Sequence, residues 1–68
     1  MADRVWVFDC HGRDVPPVMV VHARCLEIAV REARHRFERI WPRREFPGAR
    51  VDLTSGREEE DRGYLFVQ

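Results

Sequence analysis

The sequence contains no lysine, only two cysteines and no long apolar run. A membrane-spanning helix needs about 18 consecutive apolar residues, and no segment approaches that length. The first residues, Met-Ala-Asp-Arg, also lack the basic flank and the apolar stretch of a secretory signal peptide. Two cysteines are too few for the disulfide framework that stabilises small secreted domains. We therefore expect a cytoplasmic protein that does not associate with membranes.

The length and composition of the chain are those of one small globular domain. Its 68 residues are 44% apolar and 35% charged, which excludes a disordered chain, a two-domain enzyme and a repeat array. At this size the hydrophobic gain and the loss of conformational entropy nearly cancel, so small domains often depend on metals, disulfides or association. Because no metal site or disulfide is evident, self-association or a protein partner is expected.

The charges balance overall but are unevenly distributed. All twelve basic residues are arginine and twelve residues are acidic, so the net charge is zero. Residues 1–21 carry two arginines and three acidic residues, for a net charge of −1. Residues 22–50 carry eight arginines and four acidic residues, for a net charge of +4. Residues 51–68 carry two arginines and five acidic residues, for a net charge of −3. A neutral chain with separated signs indicates a polar binding partner rather than general affinity for nucleic acid.

Two strands joined by a turn are predicted in the first third of the chain. Residues 5–8 are β-branched and aromatic, residues 11–14 include a glycine suited to a turn, and residues 18–23 are typical of a returning strand. Pro16 and Pro17 cannot donate hydrogen bonds to a strand ladder. We therefore expect the second strand to begin after them and to lie at an edge of the sheet.

A helix is predicted from Cys25 to Trp41, and Pro42 cannot continue it. Its apolar residues recur at i, i+3, i+4 and i+7 and fall within one arc of the helix; they are Leu26, Ala29, Val30, Ala33, Phe37, Ile40 and Trp41. We expect Phe37 and Trp41 to anchor the core where the helix meets the sheet. Ile28 is expected near the middle of the polar face.

The last third of the chain predicts two more strands. Residues 43–48 have the composition of a loop, and residues 49–54 alternate between apolar and polar as a strand with one solvated face does. Residues 55–62 are expected to form a long charged turn, and residues 63–67 a fourth strand. This order predicts an α+β fold, ββαββ, in which one helix packs on a four-stranded, mainly antiparallel sheet. A β-grasp-like arrangement and a ferredoxin-like half both fit it.

The face of the sheet that the helix does not cover is expected to be apolar, because three strands carry apolar residues at both alternating positions. Large exposed apolar patches usually bind a partner, although a loop residue such as Phe46 can also cover them. The aromatic candidates for partner contact are Trp6 and Phe8 on the first strand and Tyr64 and Phe66 on the fourth. The acidic candidates are Glu58, Glu59, Glu60 and Asp61, unless they only keep a turn solvated.

One basic cluster lies in and after the predicted helix, and it offers an alternative binding surface. Its members are Arg31, Arg34, Arg39, Arg43 and Arg44. Guanidinium groups suit phosphate, so the cluster indicates nucleic acid as an alternative partner. Interleaved glutamates neutralise part of its field, and alternating charges are also typical of a solvated helix face.

No catalytic or metal site is expected. Cys10, His11, His22 and Cys25 are residue types that zinc prefers, but the predicted hairpin separates the first two from the last two by about 20 Å. Nothing resembling an oxyanion site accompanies a Cys25–His22 pair. The sequence therefore predicts no enzymatic activity, no cofactor and no small-molecule substrate.

The stretch Val21-x-Ala23-x-Cys25-x-Glu27-x-Ala29 is similar to the strand-to-helix joint of many small proteins of phages and mobile elements, in which a serine commonly occupies the position of Cys25. In its size, missing active site and apolar surface, the chain resembles small phage-encoded inhibitors, including anti-CRISPR proteins. The resemblance implies a non-enzymatic protein that occludes a surface of a bacterial nucleoprotein complex. The alternative is a small nucleic-acid-binding or regulatory module that uses the arginine cluster.

Overall fold

Strand β1 (Arg4–His11) is the centre of a three-stranded sheet in the computed structural model, which describes residues 3–60. It pairs antiparallel with β2 (Val18–Ala23) on one side and with β3 (Arg50–Glu59) on the other. One helix, α1 (Leu26–Ile40), packs across one face. The α+β class is thus confirmed, but the sheet has three strands in the described part of the chain instead of four. The fourth predicted strand, residues 63–67, lies outside the described residues.

The hairpin of β1 and β2 agrees with the sequence prediction. The two strands pair in a regular register in which Phe8 lies opposite Met19. Gly12 in the connecting turn has a φ of 143°, a backbone conformation that residues with a Cβ rarely adopt. Strand β2 begins at Val18, directly after Pro17, and forms an edge of the described sheet. The position of the prolines therefore predicts the edge strand correctly.

Both ends of α1 lie within one residue of the predicted ends. Cys25 is the N-cap residue, with an extended backbone and no side-chain capping bond. At the other end, the N–H of Trp41 donates to the carbonyl of Phe37 at 2.8 Å. Trp41 itself has φ −123° and ψ 73°, because a residue before proline disfavours the helical region. Pro42 therefore ends the helix and turns the chain away.

The core lies between α1 and the sheet. It is built from alternate residues of β1 and β2 and from one stripe of α1: Trp6, Phe8, Cys10, Met19, Val21, Ala23, Ala29, Ala33 and Phe37. The two helix alanines are fully buried, and their small side chains allow the helix backbone to approach the sheet. Strand β3 contributes Val51 and Leu53, which are only partly buried.

The apolar face of α1 is the predicted one, since Ala29, Ala33 and Phe37 are buried, but it is wider on one side than expected. Ile28, expected on the polar face, is half-buried and packs against the core. Arg36, on the same side of the helix, reaches the edge of the sheet, where its Nη1 donates to the carbonyl of Val20 at 3.3 Å. The side of α1 that carries these residues therefore lies over β2. Leu26 and Ile40, at the two ends, are 43% and 50% exposed.

Strand β3 is one continuous strand where the sequence predicts a strand followed by a turn. Its register on β1 shifts between the pair Val7–Arg57 and the pair Asp9–Asp52. One residue of β1 thus lies opposite residues 53–56 of β3, which is a large bulge. The prediction of a turn that begins at residue 55 is wrong, because the extra residues are absorbed within the strand.

Ser55 and Gly56 explain how the bulge is accommodated. The hydroxyl of Ser55 accepts a hydrogen bond from the N–H of Asp9 at 2.8 Å and donates one to the carbonyl of Asp52 at 2.6 Å. Gly56 lies against the ring of Phe8, where a Cβ would stand 2.5 Å from Cε2. A serine–glycine pair is typical of turns, and here the serine hydroxyl and the absence of a glycine side chain allow a bulge to form.

The face of the sheet away from α1 carries valines. Val5 and Val7 of β1 are each 3% exposed, and Val18 and Val20 of β2 are half-buried. Strand β3 adds charge to this face: Arg57 forms ion pairs with Asp9 and Glu59. The face is therefore apolar on β1 and β2, as predicted, but Val5 and Val7 are buried and do not form an exposed patch, and no aromatic residue of the three strands lies on it.

Candidate functional site

A cleft with a volume of about 350 Å³ lies between the C-terminal half of α1, the loop of residues 42–49 and the start of β3. We call it the helix–β3 groove. Its lining residues are Arg34, Phe37, Glu38, Trp41, Arg43, Pro47, Ala49, Arg50, Val51 and Leu53. The lining combines apolar and aromatic residues with three arginines, so the groove is suited to a ligand that has a flat or apolar part and a negative charge.

Two aromatic rings in contact with each other line the groove at the end of α1. Phe37 is 3% exposed, whereas Trp41 is half-buried. Their ring centroids are 4.9 Å apart, with an angle of 36° between the ring planes. Trp41 is therefore supported from the core side by Phe37 and contributes the rest of its ring to the groove.

The loop after α1 brings Arg43 back towards the helix. The carbonyl of Pro42 accepts hydrogen bonds from the N–H groups of Glu45 at 3.0 Å and Phe46 at 2.9 Å. The N–H of Ala49 in turn donates to the carbonyl of Phe46 at 3.0 Å. These bonds fold residues 42–49 into successive turns, which place Arg43 on the lining of the groove.

The charges that line the groove are mainly positive. Arg34, Arg43 and Arg50 face a single acid, Glu38. The four ion pairs among residues 3–60 use Arg4, Arg36 and Arg57. No carboxylate in this part of the chain therefore forms an ion pair with a groove arginine.

A second concavity of about 400 Å³ adjoins the groove across β3 and is lined by His11, Arg50, Val51, Asp52 and Leu53. Its carboxylate is already engaged. The hydroxyl of Thr54 donates to Oδ1 of Asp52 at 2.6 Å and the N–H of Thr54 donates to the same oxygen at 3.0 Å, which lowers the pKa of Asp52. This concavity has one arginine beside one carboxylate, whereas the helix–β3 groove has three arginines beside one carboxylate, so the groove is the better candidate site for an anionic ligand.

The structure separates the arginines of the predicted cluster. Arg34 and Arg43 meet at the groove, whereas Arg31, Arg39 and Arg44 are exposed and do not line it. Arg50, which the sequence analysis did not include, completes the set. The alternating pattern of residues 49–54 already predicts an outward side chain for Arg50, but its proximity to α1 depends on how the loop folds.

Trp6 and Phe8 are core residues, which corrects their assignment as partner-binding residues. Their exposed fractions are 8% and 0%, and both lie on the face that α1 covers. The indole N–H of Trp6 donates to the carbonyl of Ala23 at 2.9 Å. Alternate residues of β1 are apolar on both faces, and the larger ones fill the space beneath the helix. Tyr64 and Phe66 lie outside the described residues.

The acidic run is not a turn in the described structure. Glu58 and Glu59 belong to β3. Oε2 of Glu58 lies 3.7 Å from Nε of Arg4, and Oε2 of Glu59 lies 3.6 Å from Nε of Arg57. Glu60 follows the strand and is exposed, and Asp61 lies outside the described residues. The expected solvated tip is therefore partly a paired section of strand.

The two cysteines occupy very different surroundings. Cys10 is 5% exposed in the core, and burial, aided by the charge of Asp9, raises the pKa of its thiol to about 11. Cys25 is exposed at the start of α1. Among residues 3–60, no group of three or more histidine, cysteine, aspartate or glutamate residues is arranged to hold a metal ion.

Comparison with known proteins gives no relative: no protein-family model, no curated protein and no solved structure matches the chain. No helix between residues 3 and 60 is both long and apolar enough to cross a membrane. Function is therefore inferred from the groove itself.

Proposed function

We propose that the protein is a small, non-enzymatic nucleic-acid-binding module whose binding site is the helix–β3 groove. The observation that carries this proposal is the position of Arg34 and Arg43 beside the half-buried ring of Trp41. A guanidinium group can bind a phosphate through two parallel hydrogen bonds, and an aromatic ring offers a surface for a base. Groove and ligand are thus complementary in both charge and polarity.

The distribution of charge along the chain supports the same site. Residues 22–50 carry a net charge of +4, and this segment contains all three groove arginines. The rest of the chain is net negative, at −1 for residues 1–21 and −3 for residues 51–68. The segment that supplies the groove arginines is therefore the net positive part of the chain, which favours attraction of an anionic polymer.

A protein-interaction module, including an inhibitor of the phage or mobile-element type, stays a prediction. It depended on an apolar far face of the sheet and on an acidic tip, and two of the aromatic residues expected on that face, Trp6 and Phe8, are buried in the core. A protein that presents carboxylates is the competing ligand, because guanidinium groups bind carboxylate in the same bidentate way. The experiments below include this competitor.

The test is equilibrium binding of labelled DNA and RNA at low and at physiological salt. The variant Arg34→Ala with Arg43→Ala removes two groove charges. Its matched control, Arg24→Ala with Arg44→Ala, removes two exposed charges that do not line the groove.

We expect the groove variant to bind roughly tenfold or more weakly, because hydrogen bonds to charged groups are the stronger ones. Its affinity should also depend less steeply on salt, by about 0.7 in the logarithmic slope for each phosphate of a single strand that the variant no longer neutralises. Equal weakening in the two variants, or no binding of any nucleic acid, would overturn the proposal.

A further inference from the structure

The shape of the helix–β3 groove bears on which form of nucleic acid it binds. The groove is concave, has a volume of about 350 Å³ and has Trp41 in its lining. This volume lies at the small end of the range for pockets that enclose a small ligand. In a duplex each internal base is stacked between its neighbours, so a ring that lines a small cleft meets no free base face. A single strand can turn one base out of the stack and into such a pocket.

The ring of Trp41 is packed against Phe37 before any ligand binds. Phe37 lies behind it at 4.9 Å between ring centroids and is itself 3% exposed. The backbone of Trp41 is held by its hydrogen bond to the carbonyl of Phe37 and by the proline that follows. A ring that is already packed loses little entropy on stacking, which favours its use as a stacking platform.

The three arginines of the groove come from three different elements. Arg34 projects from α1, Arg43 from the loop and Arg50 from the start of β3. Phosphates lie on both sides of any base within a strand. Three positive charges in the lining that also contains the ring therefore match a strand that passes over the groove with one base turned inward.

From this geometry we infer that the ligand is single-stranded nucleic acid and that one unpaired base stacks on Trp41 while the groove arginines contact the flanking phosphates. The inference rests on the proposed function and specifies its substrate class. It predicts binding with little dependence on sequence, because every base has a flat face.

The decisive experiment compares three ligands by intrinsic tryptophan fluorescence: a short single strand, its duplex, and an abasic sugar-phosphate strand of the same length. Trp6 is 8% exposed, and its indole N–H is bonded to the carbonyl of Ala23, so ligand-dependent changes report on Trp41. We expect the single strand to quench the fluorescence. The abasic strand and the duplex should bind about tenfold or more weakly and cause little quenching.

Variants at the ring supply the second measurement. Trp41→Phe keeps an aromatic ring and is expected to retain most of the affinity, whereas Trp41→Leu should lose about tenfold. Trp6→Phe is the matched control, since it alters the other tryptophan and should leave affinity unchanged. A cooperative melt establishes that each variant is folded. If Trp41→Leu does not fold, the abasic comparison on the unaltered protein decides the question.

The outcomes separate the inference from the proposed function. Equal binding of the abasic and base-containing strands, or tighter binding of the duplex, would overturn base stacking and leave a nucleic-acid-binding groove. Failure of every nucleic acid to bind would overturn both. Tighter binding of a glutamate-rich peptide than of the single strand would also overturn both and favour the protein-interaction module.

Discussion

The hydroxyl of Ser55 in β3 accepts a hydrogen bond from the backbone N–H of Asp9 in β1, at 2.8 Å. The bond crosses the bulge of residues 53–56, where the regular pairing of the two strands is interrupted. A side-chain oxygen thus takes the place of a backbone carbonyl and satisfies a partly buried donor. This substitution allows β3 to continue past the bulge to Glu59.

We expect Ser55→Ala to lower the free energy of unfolding by about 1–2 kcal/mol, because it leaves the N–H of Asp9 without its partner. Urea denaturation measures the change. Thr54→Ala is the neighbouring control: it removes a hydroxyl whose hydrogen bond to Asp52 is exposed to solvent, and it should cost less than about 0.5 kcal/mol. Equal losses at the two positions would show that the Ser55 bond does not stabilise the bulge.

The second prediction concerns Gly56, whose missing side chain makes room for Phe8. A Cβ at this position would stand 2.5 Å from Cε2 of Phe8 and 3.1 Å from Cδ1 of Leu26. Phe8 is fully buried and cannot move aside easily. We expect Gly56→Ala to destabilise the protein by about 1–3 kcal/mol. Gly48→Ala, where a Cβ meets nothing within 4 Å, should change stability by less than about 0.5 kcal/mol in the same denaturation experiment.

These two residues also show where prediction from sequence ends. The strand at residues 18–23 and the helix are predictable because local signals agree: prolines precede the strand, and one face of the helix is regularly apolar. Ser55 and Gly56 carry a local signal as well, but turns and bulges favour the same residue types. The bulge forms here instead of a turn because Gly56 packs against the ring of Phe8 and Ser55 accepts a hydrogen bond from the N–H of Asp9. Both partners are far from residues 55 and 56 in the sequence.

The candidate site is predictable only in part, for a related reason. Arg34 and Arg43 belong to a cluster that the sequence identifies by charge alone. Trp41 is predicted to be a core residue because it continues the apolar stripe of the helix, yet the chain turns away at Pro42 and leaves the ring half-buried. Arg50 joins the other two arginines only when the loop returns β3 to the helix.

The third prediction is that the two thiols react at very different rates. Cys10 is buried with a pKa of about 11, so its nucleophilic thiolate is scarce at neutral pH, whereas Cys25 is exposed. We expect one thiol per chain to react quickly with a thiol-specific disulfide reagent, and the second only when the protein unfolds. Cys25→Ser should remove the fast phase. A fast phase of two thiols in the folded protein would contradict the burial of Cys10.

The raised pKa of Cys10 also predicts a pH dependence of stability. The ordinary pKa of a cysteine thiol is 9.0, and the value in the folded protein is about 11. Between these values the folded state keeps a proton that the unfolded chain has lost, so stability falls as the pH rises from about 9 towards 11. Cys10→Ala should lower stability at neutral pH and flatten this alkaline decrease relative to the unaltered protein, as measured by urea denaturation across the range.

The last prediction separates Phe37 from Trp41, which the sequence assigns alike to the core. Phe37 is 3% exposed, and its truncation to alanine is expected to cost about 3–5 kcal/mol, which approaches the whole stability of a domain of this size. Trp41 is half-buried and lines the groove, so Trp41→Ala should cost only about 1–2 kcal/mol and leave a cooperative thermal transition. If the two variants lose equal stability, Trp41 is a structural core residue and its ring is not free to stack on a ligand. If Trp41→Ala stays folded, the ring makes only a modest contribution to stability, as expected of a residue whose exposed surface serves binding.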